Sequence, residues 1–62
     1  MKWNELRKIA EAKGWYLAAH GANHDKYQHP DRPKDDILYI GRHGREEIKN
    51  GTFHKIKKQI EI

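Results

Sequence analysis

The chain contains no cysteine. Disulfide staples and cysteine-ligated zinc or iron–sulfur sites are therefore excluded. Long apolar runs are missing as well. None approaches the ~20 residues that a membrane helix requires, and no apolar stretch follows the first methionine as it would in a secretory signal. The expectation is a cytoplasmic protein without membrane attachment. Proline occurs twice, at Pro30 and Pro33, so a single segment is marked as loop and the rest is free to form helix and strand.

Apolar residues are also scarce. They make up 35% of the 62 residues, charged residues make up another 35%, and the mean hydropathy is −1.18. Such a composition borders on disorder. Six aromatics oppose it: Trp3, Trp15, Tyr16, Tyr27, Tyr39 and Phe53. Each can bury a large area. The length allows one domain, residues 1–62. A domain of this size removes only about 60% of its unfolded surface from water. A marginally stable fold is expected.

Acidic residues are in the minority. Thirteen Lys/Arg against nine Asp/Glu give a net charge of +4, which favours polyanionic partners, nucleic acid first. The excess is uneven. Residues 42–62 carry net +3 and residues 21–41 net −1.

Periodicity gives the elements. Trp3, Leu6, Ile9 and Ala10 recur at helical steps over Lys2–Lys13, with Gly14 placed to stop the helix. Asn4 is a candidate cap for a slightly later start, with Trp3 as the staple residue before it. Trp15–His20 alternates as a strand, with Trp15, Leu17 and Ala19 on one side. Gly21, Ala22 and Asn23 form a turn, in which Gly and Asn are the residues that tolerate positive φ. His24–His29 is a second strand with His24, Lys26 and Gln28 on its polar face and Tyr27 as its core residue. Asp36–Gly41 is the third strand, with Tyr39 assigned to the core or to sheet packing. Glu46–Asn50 suggests one helical turn, broken by Gly51. Thr52 then caps a last helix with Phe53, Ile56 and Ile60 on one stripe. The order is α-β-β-β-α: an α+β fold with a three-stranded antiparallel sheet and two helices on one face.

Histidine is the abundant reactive group, with five in the chain. His24 opens a strand after a tight turn, beside Lys26. RNA carries its own nucleophile, the 2′-OH, so one base in a basic groove can drive cleavage without a metal. The alternative for His24 is a solvated turn histidine. A metal site from His20, His24, Asp25 and His29 is a second reading. The strand periodicity argues against the helical His-x3-His spacing that it needs. His20 and His54 read as solvated, and His29 as a turn residue. Lys55, Lys57 and Lys58, with Arg42 upstream, suit an RNA backbone or, equally, a solvated helix face.

Several segments taken in order are similar to a known family. They are Gly14-Trp15, the Gly21-Ala22-Asn23-His24-Asp25 stretch, Tyr27, His29-Pro30, Arg42-His43, Glu47-Ile48, and Gly51-Thr52 leading to Ile56-Lys57-Lys58-Gln59. Together they resemble the HicA toxins, the mRNA interferase half of bacterial HicAB toxin–antitoxin systems. The resemblance implies a double-stranded-RNA-binding-domain-like fold. It implies His24 as the catalytic residue and metal-independent cleavage of mRNA, with no cofactor. It also implies growth arrest and neutralisation by a HicB-type antitoxin in a hetero-oligomer. Lys26, Arg42, His43, Lys55, Lys57 and Lys58 are the expected RNA contacts. Ala22 departs from the serine usual at that place in the family. A non-catalytic RNA-binding module of the same fold is the alternative, and a pure interaction subunit is a third.

Overall fold

Helix α1 spans Trp3–Ala12. It starts from Lys2 in extended conformation, with no side-chain cap, so Asn4 does not cap it. Its free N–H groups are satisfied by a later loop instead. Trp3 N–H donates to the Glu46 carbonyl at 3.2 Å and Asn4 N–H to the Gly44 carbonyl at 3.0 Å. A distant backbone segment does the work that a local side chain usually does. The helix ends in a Schellman motif: Trp15 N–H reaches the Ala10 carbonyl, Gly14 N–H reaches that of Glu11, and Gly14 sits at φ +98°.

The computed structural model describes all residues, 1–62. Strands β1 (Tyr16–His20), β2 (His24–Gln28) and β3 (Leu38–Gly41) form an antiparallel sheet in the order β1-β2-β3. The third strand is shorter than its sequence suggests, because Asp36 is engaged elsewhere. Its carboxylate accepts hydrogen bonds from Arg32 at 3.0 Å and from Gln59 at 2.8 Å. The β1–β2 register slips between Leu17 and Ala19, leaving Ala18 as a bulge residue.

Helix α2 spans Asn50–Gln59 and starts from Lys49, not Thr52. Gly51 lies within its first turn, where it does not interrupt the helix. The predicted turn at Glu46–Asn50 is absent: Glu47 instead bridges to Lys2 in β fashion. That backbone pairing overrides a weak local helix signal.

One core joins the layers. Trp3, Leu6 and Ala10 come from α1; Tyr27, Leu38 and Ile40 from the sheet; Ile56 and Ile60 from the last helix region; Trp15 and Ile48 from connections. Phe53 is only partly buried and packs against this cluster. The core stops short of β1, all of whose residues are exposed. The alternation of β1 therefore does not mark a buried face, because the helices cover β2 and β3 only. Tyr39, assigned to the core or to sheet packing, is 49% exposed and not in the core. Its neighbours Leu38 and Ile40 are both fully buried, and strand alternation turns Tyr39 to the opposite side.

Candidate ribonuclease site

The hairpin between β1 and β2 presents His24. Gly21 N–H donates to the His24 carbonyl at 2.8 Å, closing the three-residue connection. Neither Gly21 nor Asn23 takes positive φ; Gly21 is required for a different reason. A Cβ at this position would lie 2.6 Å from the His24 carbonyl oxygen. Ala22 and Asn23 are exposed on the turn.

His24 is itself exposed, and its ring is not free to wander. The Trp3 ring meets it edge-on, with centroids 5.9 Å apart at 82°. Such an arrangement sets a positive ring edge against a π face. The partner of His24 across the sheet is Gly41, and the absent side chain there admits Trp3. A Cβ on Gly41 would stand 2.7 Å from the Trp3 ring. Gly41→Ala is expected to displace Trp3 at an overpacking cost of about 1–3 kcal/mol. Thermal unfolding should register this as a drop of several degrees in melting temperature.

His24 and Trp3 line a groove of about 310 Å³ with Tyr39, Thr52, Lys55, Ile56 and Gln59. The α2 residues fall at helical spacing, so one face of α2 forms the far wall. Lys55 thereby meets His24 in one site. Lys57 and Lys58 are exposed and lie outside the groove lining. Lys57 Nζ sits 5.9 Å from the Phe53 ring centroid. Lys26 shares the His24 side of β2, two residues along. His43 is exposed in the loop after β3, and His54 on α2.

On the opposite side of β2 lies Asp25, a buried carboxylate. Its Oδ1 accepts from Arg42 Nε at 3.0 Å and from His20 Nδ1 at 2.8 Å, and its Oδ2 lies 3.6 Å from Arg7 Nη2. The hydrogen bond from His20, reinforced by Arg42, holds the Asp25 carboxyl below the usual range, although burial pushes it upward. Arg42 is thus held on the Asp25 side of β2 and does not line the His24 groove, and His20 is paired, though exposed. His29 lies elsewhere, with Nε2 2.8 Å from the Lys13 carbonyl and its ring edge-on to Trp15. His20, His24 and His29 therefore diverge. No group of three or more acidic or histidine side chains gathers where it could hold a metal.

Sequence reasoning missed two features. The Asp25 cluster was readable from the alternation Asp25, Tyr27, which places a carboxylate on the core side. Trp3 as the wall of the His24 site had no local signal, because it depends on the glycine across the sheet.

A family model for the HicA toxin of bacterial toxin–antitoxin systems matches residues 3–62. The chain belongs to the HicA family. It is a toxin of a toxin–antitoxin pair, in a family of ribonuclease toxins, and its partner class is an antitoxin. No curated protein matches the chain. No helix is long and apolar enough to cross a membrane.

Proposed function

We infer that this HicA protein is a histidine-dependent endoribonuclease that cleaves mRNA, arresting translation and growth until a HicB antitoxin binds it. The observation that carries this reading is the groove that holds an exposed, Trp3-braced His24 beside Lys55. In the reaction, His24 takes the proton of a 2′-OH. The freed oxygen attacks the adjacent phosphorus, the bond from phosphorus to the 5′-oxygen breaks, and that oxygen takes a proton from water as it leaves. The products are a 2′,3′-cyclic phosphate and a 5′-hydroxyl. Lys55 stabilises the charge that builds on the phosphoryl oxygens. Lys26, Arg42 and His43 hold flanking backbone, with Lys57 and Lys58 further along α2. None of these steps calls for a metal or a cofactor.

Labelled RNA incubated with purified protein in EDTA tests the reading. Fragments ending in cyclic phosphate are expected. Intact RNA in a stable shifted complex would instead favour the non-catalytic module. Binding is also expected to weaken steeply with salt. Arg42 already engages Asp25 through Nε, so the counterions released come chiefly from Lys26, Lys55, Lys57 and Lys58. Four phosphate contacts on a single strand give a slope of log affinity against log salt of about −3. Titrations between low and physiological salt measure it, and a flat response would contradict the basic groove.

A further inference from the structure

One face of the sheet is left open. Residues opposed across an antiparallel pair share a face. Here Tyr16 opposes Gln28, Tyr39 opposes Lys26, and Gly41 opposes His24. Tyr16 and Tyr39 are each 49% exposed, and Lys26 stands between their strands. Asp25 is the only carboxylate in the three strands, and it lies on the other face. Among its strand residues the open face is therefore aromatic and basic; Glu46 and Glu47 approach it at the His24 end. It is also continuous with the His24 groove, because Tyr39 lines that groove together with His24 and Lys55.

An RNA duplex presents phosphates and 2′-hydroxyls but keeps its base faces stacked inside. Two tyrosines give a duplex little to hold. To a single strand they offer two platforms. Strand spacing and register put them about 10–12 Å apart, so the bases they take must be splayed rather than stacked on each other. We propose that the Tyr16–Lys26–Tyr39 face binds single-stranded RNA, with bases stacked on Tyr39 and Tyr16 and the intervening backbone on Lys26. The strand then runs from this face into the groove, where His24 meets the scissile linkage. The inference rests on the RNA reading of that groove. It adds the residues that hold the bases of the strand.

The test uses uncleavable 2′-fluoro oligoribonucleotides with the unaltered protein. A base-bearing single strand is compared with an abasic strand of equal length and with a duplex. The base-bearing strand should bind more tightly than the abasic one by about 5–150-fold for each stacked base, and the duplex no better than the abasic strand. Tyr39→Ala and Tyr16→Ala should each lower the ratio of base-bearing to abasic affinity, the two together should remove it, and Tyr39→Phe should keep it. This cycle separates stacking from a structural role. The comparison of strands on the unaltered protein stands even if Tyr39→Ala folds poorly. Equal affinity for base-bearing and abasic strands would overturn the proposal and leave the face to a protein partner. So would a preference that survives the two substitutions together. If ordinary RNA is nevertheless cleaved, the RNA reading stands and only the stacking face is lost. If no strand binds and no RNA is cut, both fail.

Discussion

His24→Ala is expected to lower RNA cleavage by about 10²–10⁴-fold, the usual contribution of a positioned acid or base. The folded state should survive the change. His24 is exposed, and what it gives up is one edge contact with Trp3. Unaltered melting behaviour with lost cleavage would separate chemistry from folding. A second substitution, made in the substrate, sharpens the result. Replacing the 2′-OH with hydrogen at the cleaved nucleotide removes the nucleophile and should abolish cutting by the unaltered protein. Binding to that substrate should persist, because the lysines contact phosphates. The same pairing should hold in cells: growth arrest on expression of the unaltered toxin, and growth on expression of His24→Ala. A folded His24→Ala chain that cleaves at the unaltered rate would remove His24 from the mechanism.

Much of this site was legible before the structure, and the reason is local. Gly21 and the strand that follows specify a tight hairpin, so the placement of His24 needs only short-range information. The helix stop at Gly14 is equally local, and so is the outward turn of Lys26 by strand alternation. What escaped depends on long-range contacts. The loop that caps α1 is forty or more residues away, so Lys2 begins the helix where Asn4 seemed suited. Thr52 lost its capping role to Lys49 because Glu47 pairs with Lys2 and fixes where the chain can start to turn. Tyr39 sits in the most apolar run of the sequence, Ile37–Ile40, which reads as buried on both sides. The helices cover one side of the sheet only, so alternation returns Tyr39 to solvent. That error concealed the open aromatic face.

The second large effect belongs to Asp25. Asp25→Ala is expected to destabilise the domain by about 2–4 kcal/mol, toward the lower part of the range for breaking a buried charge cluster. The discount follows from exposure: the Arg42 side chain is 41% exposed and that of His20 65%, so both can turn to water. Arg7 cannot do so fully, since its Nε is already buried without a partner. For a chain of this length the total stability is about 3–9 kcal/mol, so the loss is a large share of it. Urea unfolding at neutral pH measures the difference. Asp25→Asn should fall between the two, because an amide oxygen still accepts a hydrogen bond but offers no charge. The pH dependence follows from the direction of the shift. The carboxyl of Asp25 is held below its ordinary value in the folded state. Its contribution is therefore complete above the unfolded-state value, about 3.9, and is lost as pH falls through the lower folded-state value. The gap between the unaltered protein and Asp25→Ala should be widest from pH 5 upward and should close in stronger acid. A gap that persisted unchanged at the acid end would show that packing, not charge, holds Asp25 in place. The cluster ties the ends of β1 and β3 to α1 directly behind His24. Loosening it should therefore reduce cleavage even at temperatures where Asp25→Asn remains folded, by loosening the start of β2 that positions His24.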